Sequence, residues 1–249
     1  MSGPGPASDE PAAAVIVAAG SGLRLGAGLP KALVPLHGRP LLSWALQAFA
    51  THPDIGTVVV VAPAAELATV RACVDGRAQV VAGGSTRQAS VDAGLAALPP
   101  DVGLVLVHDA ARPLVHPSVI SAVVGALRGG DQAVIPVLPV ADTIKRVDGT
   151  GQVVATVDRG ELRAVQTPQG FLRSVLVAAH RAAENRALTD VTDDAGLAEA
   201  LGVPVRTVAG SELCFKVTTP YDLRLAHAMA TEFDALTRAG GSTSAGDPT

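Results

Sequence analysis

Apolar and polar positions along the chain alternate between two patterns: short continuous apolar runs and stretches with apolar residues at helical spacing. Ala12 to Val17 is an unbroken run of Ala, Val and Ile, which predicts a strand buried on both faces. Leu41 to Ala50 carries Leu42, Ala45, Leu46 and Phe49 at helical spacing, and the β-branched run Thr57 to Val61 predicts the next strand. The alternation continues with a helix from about Ala64 to Cys73, a strand at Gln79 to Ala82, a helix over Arg87 to Ala97 and a strand at Leu104 to Val107. A helix over Pro117 to Leu127 and a strand at Ala133 to Leu138 complete this part. Such an order predicts an α/β fold, a Rossmann-like, mostly parallel twisted sheet with helices on both faces. Ligands of these sheets lie at the carboxyl ends of the strands.

The pattern changes after Leu138. From Pro139 to Gln166 no helical spacing appears, and Asp142 to Val147 and Gln152 to Val157 flank the turn sequence Asp148-Gly149-Thr150-Gly151. The segment from about 139 to 166 therefore reads as a protruding β-hairpin arm. A two-stranded arm is marginal alone in water, so pairing with the same arm of a second copy, as a two-fold homodimer, is the expectation. Beyond it, Thr167-Pro168-Gln169 reads as a turn. Helices follow near Leu172 to Asn185 and Asp194 to Leu201, then a strand at Val205 to Val208, an apolar strand around Phe215 to Val217 and a last helix from Tyr221 to about Leu236.

The turns after the strands carry the candidate chemistry. The first is Ala18-Ala19-Gly20-Ser21-Gly22-Leu23-Arg24-Leu25-Gly26-Ala27-Gly28-Leu29-Pro30-Lys31. Its glycines and serine leave backbone N–H groups free to converge on an anion, and Arg24 and Lys31 add two cations, a combination suited to a nucleoside triphosphate. A dinucleotide fingerprint would need glycine where Leu25 stands, and a Walker A loop would need Gly-Lys followed by Ser or Thr. A glycine turn without a ligand remains the alternative.

After the third strand, Gly83-Gly84-Ser85-Thr86-Arg87-Gln88-Ala89-Ser90 feeds a helix N-terminus, which favours an anion or a polar base edge. Ser85 or Thr86 as a plain helix cap is the alternative. After the fourth strand comes His108-Asp109-Ala110-Ala111-Arg112-Pro113. Asp109 is placed to hold Mg²⁺ beside substrate phosphates, with Arg112 as a phosphate clamp, unless the two merely pair in a turn. His108 reads as structural. In Thr189 to Asp194, Thr192 or Asp193 serves as an N-cap. Lys216, between Phe215 and Val217, needs an anionic partner or an edge position.

Composition narrows the classes. The 249 residues are 48% hydrophobic, ample for a core, while aromatics at 2% leave few platforms for stacking single-stranded bases. A net charge of −4 without a basic run lacks the footprint of a nucleic-acid or anionic-membrane binder. Cys73 and Cys214 show no ligand spacing and read as free thiols. No apolar run spans a bilayer and no leader pattern opens the chain, so a cytoplasmic location is expected. Residues 1–13 and 239–249, rich in Gly, Pro, Ser and Thr, are expected to be disordered tails around a single domain over 14–238.

Seven motifs in order carry a resemblance. They are Ala18 to Lys31, Gly83 to Arg87, Val107 to Pro113, Asp142 to Lys145, Gln166 to Gln169, Thr192 to Ala195 and Lys216 to Thr218. Together the set resembles the 2-C-methyl-D-erythritol 4-phosphate cytidylyltransferases of the non-mevalonate isoprenoid pathway, from about Val15 to Ala226. The resemblance implies a nucleotidyltransferase-type fold, CTP and a phosphorylated sugar alcohol as substrates, and Mg²⁺ or another divalent cation on Asp109. It implies that Ala18, Ala19, Gly84, Ser85 and Ser90 hold the cytidine part, that Gly20 and Arg87 also bind substrate, and that Arg24 and Lys31 stabilise the transition state at the α-phosphate. Arg159 and Lys216 would position the methylerythritol phosphate, with Arg112, Thr143, Thr167 and Thr192 around it. Arg112, Thr143 and Arg159 would reach it from the second subunit. Many members carry an acid where Ser85 stands and Gln where Ala32 stands. Some continue into a fused cyclodiphosphate synthase, whereas this chain ends at Thr249, so one activity is expected. Two other readings stay open at this stage, a ribitol-5-phosphate cytidylyltransferase and a non-catalytic nucleotide-binding regulator.

Overall fold

A computed structural model describes residues 11–19, 29–186 and 191–240. The chain opens with β1 (Ala12–Val17), a short antiparallel pair, β2 (Pro35–Leu36) and β3 (Arg39–Pro40), and α1 (Leu41–Ala50). There follow β4 (Ile55–Ala62), α2 (Leu67–Val74), β5 (Gln79–Ala82), α3 (Arg87–Ala96), β6 (Leu104–Asp109), α4 (Pro117–Arg128) and β7 (Ala133–Pro139). The arm contains β8 (Ile144–Val147) and β9 (Val153–Val157). Then come β10 (Arg163–Val165), β11 (Gln169–Leu172), α5 (Arg173–Arg186), α6 (Asp194–Ala200), β12 (Val205–Ala209) and α7 (Pro220–Gly240).

Among the described residues the main sheet has eight strands. Its path runs β10-β7-β11-β6-β1-β4-β5, and β12 also pairs with β7. All strands are parallel except β10 and β11, which run antiparallel to their neighbours. Period-two alternation makes β1 the centre of the core. Ala12, Ala14 and Ile16 pack with Leu42, Leu46 and Phe49 of α1 and with Ile120 and Val123 of α4. Ala13 and Val15 pack on the opposite face with Val91 and Leu95 of α3. The continuous apolar run is thus required by burial on both faces. A third cluster joins Leu36 and Trp44 to Ala226, Ala230 and Phe233 of α7.

Several boundaries differ from the sequence expectation. β6 extends to Asp109, so that residue ends the strand instead of following it. Gln169 belongs to β11, which lies between β6 and β7, where a turn was expected. Four residues with a glycine among them carry too little pattern to announce a strand. Gly170 is needed there, because a Cβ would collide with Val123 on α4. Phe215 to Val217 is irregular and not a strand; it is fixed by the Val217 N–H, which donates to the Ala111 carbonyl at 2.8 Å. Of the expected tails, Ala12 and Ala13 lie in β1, and Ala239 and Gly240 lie in α7. Residues 1–10 and 241–249 are outside the described residues.

In the arm, β8 and β9 form their own antiparallel sheet. The Asp148 carboxylate accepts from the Thr150 and Gln152 N–H groups, which closes the turn. The arm's Val147, Val153 and Val154 are 54%, 60% and 55% exposed, an apolar face uncovered within one chain. Arg163 to Val165, within the span read as arm, pairs with β7 and belongs to the main sheet.

Candidate active site

The strand order locates a crevice. From β1 the chain moves outward to β4 and β5 on one side, then crosses to β6 on the other. This reversal leaves an opening at the carboxyl ends of β1 and β6. Val17 and Asp109 are register partners there. Ala18 and Ala19 directly after β1, Asp109 and the turn after β5 therefore meet at one place.

On the β5 side the chain packs closely. The Ala18 N–H donates to the Val61 carbonyl and the Gly83 N–H to the Ala62 carbonyl, both at 2.8 Å. A Cβ on Gly83 would lie 2.8 Å from Ser90 Oγ and 2.9 Å from the Ala19 methyl, so only glycine lets these three residues close together. Thr86 is the α3 cap, its hydroxyl accepting from the Ala89 N–H at 3.0 Å. Ser85 and Gly84 are left exposed toward solvent. Buried Ser90 donates to the Thr86 carbonyl at 2.9 Å.

A charge cluster forms the other side. Lys216 Nζ donates to Asp109 Oδ2 at 2.7 Å, and Arg87 Nε lies 3.7 Å from Asp109 Oδ1. Burial opposes the charge on Asp109, but the Lys216 ammonium outweighs it with help from Arg87 and Arg112, holding the pKa at about 2. The carboxylate is therefore ionised at any neutral pH. The Asp109 N–H donates to Thr167 Oγ1 at 3.1 Å, and that hydroxyl lies 3.0 Å from His108 Nδ1. His108 Nε2 meets the Arg112 carbonyl at 3.1 Å. Burial pushes the His108 pKa down to about 4, so the ring is neutral and holds the floor of the site.

Behind Arg87 is a second layer that sequence reasoning missed. Arg87 Nη1 donates to Asp194 Oδ2 at 2.7 Å, and His180 Nε2 lies 2.9 Å from Asp194 Oδ1. Asp193 caps α6 through the Gly196 N–H, as its position predicted, while Gln169 donates to Asp193 and accepts from the Ala195 N–H. Burial lowers the His180 pKa, but Asp194 and Asp92 outweigh it and raise it to about 9. Because the folded value is raised, this stabilisation is complete below the unfolded value of about 6.5 and is lost as pH rises through 9. Thermal unfolding between pH 6 and 9.5 is expected to show Tm falling more steeply in the native chain than in His180→Gln.

The remaining candidates are distributed as follows. Lys31 opens a single 3₁₀ turn, Lys31–Leu33, directly after Pro30. Burial opposes the charge on Asp222, but hydrogen bonds from the Thr218 and Thr219 N–H groups and the Thr219 hydroxyl, with a smaller contribution from the Lys31 charge, hold its carboxylate below the ordinary range. Arg112 makes a turn through its N–H to the Asp109 carbonyl, yet its guanidinium leaves Asp109. Nη1 donates to the Cys214 carbonyl at 2.8 Å and Nη2 to the Val165 carbonyl at 3.3 Å, with Nε buried and unpaired. Thr192 is exposed just before the α6 cap. Thr143 and Arg159 are exposed on the arm, where Arg159 donates to the Ala141 carbonyl. Gly20 and Arg24 lie outside the described residues. Cys73 and Cys214 are free thiols. Among the described residues no helix is long and apolar enough to cross a membrane.

A doubly wound sheet whose switch point gathers small-residue turns, cations and one ionised carboxylate defines an α/β nucleotidyltransferase. The profile of the family IspD, 2-C-methyl-D-erythritol 4-phosphate cytidylyltransferase, matches residues 12–232. A Frankia casuarinae 2-C-methyl-D-erythritol 4-phosphate cytidylyltransferase is 50% identical over 231 residues, covering 92% of this chain and 85% of the relative. The crystal structure of the Thermus thermophilus 2-C-methyl-D-erythritol 4-phosphate cytidylyltransferase superposes with a TM-score of 0.74 at 39% identity, over 87% of this chain and 98% of that one. The Anaerococcus prevotii 4-diphosphocytidyl-2C-methyl-D-erythritol synthase gives a TM-score of 0.80 at 29% identity, over 90% and 97%. This chain belongs to the 2-C-methyl-D-erythritol 4-phosphate cytidylyltransferase family.

Proposed function

We propose that the chain transfers the cytidylyl group of CTP to 2-C-methyl-D-erythritol 4-phosphate, giving 4-diphosphocytidyl-2-C-methyl-D-erythritol and pyrophosphate. The observation that carries this reading is the convergence of Lys216, Asp109 and Arg87 at the switch point of a chain in this family. A phosphate oxygen of the acceptor attacks the α-phosphorus and forms the new P–O bond. The bond from that phosphorus to the bridging oxygen breaks, and pyrophosphate leaves with the electron pair. The attacking monoester, with a second pKa of about 6, is largely dianionic at neutral pH and needs no general base. What the residues supply is orientation and charge neutralisation.

Ala18, Ala19, Gly84 and Ser90 would line the nucleoside, and Lys31 with Arg24 would meet the α-phosphate. Lys216 is 45% exposed at its side chain, so it can turn from Asp109 to an incoming phosphate. The described residues contain no group of three or more His, Cys, Asp or Glu side chains that could hold a metal. Asp109 alone fits a cation of the Mg²⁺ kind, which takes one or two carboxylates and completes its shell with phosphates and water. When bound, such a cation neutralises triphosphate charge.

Thr143 and Arg159 would serve the acceptor site of a second copy, through an arm-to-arm dimer buried on Val147, Val153 and Val154. Val153→Asp combined with Val147→Asp is expected to give a monomer by light scattering and to lower kcat/KM at least about tenfold, the scale of losing one charged substrate contact. A dimer of unchanged mass would exclude the arm as the interface.

The function is tested by pyrophosphate release with Mg²⁺, crossing CTP, UTP, ATP and GTP against methylerythritol 4-phosphate and ribitol 5-phosphate. Turnover is expected with CTP and methylerythritol phosphate. Turnover with ribitol phosphate alone would overturn the assigned acceptor, and CTP binding without turnover would overturn the reaction.

A further inference from the structure

Four charged side chains form a series behind the site that starts and ends on α3. Arg87 and Asp92 stand five residues apart on α3, His180 is on α5 and Asp194 begins α6. Arg87 Nη1 reaches Asp194 Oδ2 at 2.7 Å, and His180 Nε2 lies 2.9 Å from Asp194 Oδ1. His180 Nδ1 returns to α3, lying 2.7 Å from Asp92 Oδ1 in ion-pair contact without an aligned hydrogen bond. The side chains of His180 and Asp194 are 2% and 1% exposed, whereas Arg87 is 30% exposed and faces Asp109. With both oxygens of Asp194 engaged by fixed partners, its carboxylate has one orientation. A guanidinium held by that carboxylate has correspondingly little freedom.

Of the groups in the series, only Arg87 and Asp92 have appreciable access to solvent. Two carboxylates, one guanidinium and one imidazolium balance in charge. Loss of the imidazolium charge would leave a buried carboxylate facing a second one across the ring, with a single cation to hold it.

We propose that His180 is a positioning residue. Held between Asp92 and Asp194, it orients the Asp194 carboxylate, which sets the Arg87 guanidinium beside Asp109 at the phosphate end of the crevice. The catalytic consequence rests on the cytidylyl-transfer reading, but the geometric one does not.

The test uses the full chain in two states. In the substrate-free, ¹⁵N-labelled protein, the Arg87 Nε–H signal, assigned with Arg87→Lys, is expected to exchange with water at least about tenfold faster in His180→Gln, a local loosening. In steady state, the KM for CTP is expected to rise about three- to thirtyfold, the scale of coupling within one hydrogen-bond network, with kcat moving less. In an Arg87→Ala background, His180→Gln should add nothing further. Asp92→Asn, at a side chain 36% exposed, supplies a variant gentler on folding and should shift both readouts in the same direction. An Arg87 signal unmoved in both folded variants would overturn the proposal. So would kinetic effects that add in full on Arg87→Ala, because a merely structural histidine acts independently of Arg87. If the native chain transferred no cytidylyl group, the function reading would fall while the Arg87 signal still decided the role of His180.

Discussion

Lys31→Ala is expected to lower kcat by about 10² or more while changing the KM for CTP far less, the signature of a preorganised charge felt mainly in the transition state. Negative charge accumulates on the oxygens around the α-phosphorus as the acceptor phosphate approaches, since both reactants are anionic. A cation fixed before the reaction stabilises that charge without reorganising. The backbone that presents Lys31 is held before the reaction: Pro30 restricts the chain before it, and its 3₁₀ turn is closed by the Leu33 N–H to the Pro30 carbonyl at 2.9 Å. Alanine suits the same turn, so Tm should change little and the loss can be assigned to the ammonium. Lys31→Arg keeps the charge but replaces a compact ammonium with a planar fork, and should recover only part of the rate. Steady-state kinetics with CTP and methylerythritol 4-phosphate checks both variants. An unchanged kcat in Lys31→Ala would remove the residue from the mechanism.

How far the sequence disclosed this site depends on the range over which each feature is determined. β1 and α1 have the predicted limits because their patterns are local: burial on two faces demands an unbroken apolar run, and burial on one demands helical spacing. Asp109, Lys216 and Arg87 were each singled out from their own turns, but their meeting was not readable. Lys216 is 107 residues from Asp109, and Arg87 is 107 from Asp194. Asp194 looked like part of a helix start because Asp193 caps that helix, and capping is indifferent to what the next carboxylate touches. His180 is one of several polar residues of α5, and its spacing does not mark it as the one turned inward. β11 and the irregular Phe215–Val217 were misread for a related reason: both are shaped by neighbours distant in sequence, β6 and β7 for one and Ala111 for the other.

Asp109→Asn keeps the shape of the side chain and removes its charge, and it is expected to lower kcat/KM by about 10² to 10³, comparable to losing one charge-organising group in a phosphoryl-transfer site. Lys216 would lose its 2.7 Å anchor and Arg87 its approach to Oδ1, while Arg87 would keep Asp194. The amide could still accept a hydrogen bond, but its own N–H₂ would face two cations. The stability cost should be modest, about 1 to 3 kcal/mol, the range for hydrogen bonds to charged groups, because the half-exposed Lys216 ammonium can relax into water. The pH dependence separates this cost from a general packing defect. With the folded pKa near 2 and an unfolded value of 3.8, the contribution of Asp109 is present above 3.8 and is lost as pH falls toward 2. Chemical denaturation should therefore find the native chain more stable than the variant at pH 5 to 7, with the difference shrinking toward zero below pH 3. A gap that persisted at pH 2 would trace the loss to packing, and no gap at pH 7 would mean that the Lys216 contact contributes nothing to holding the site together.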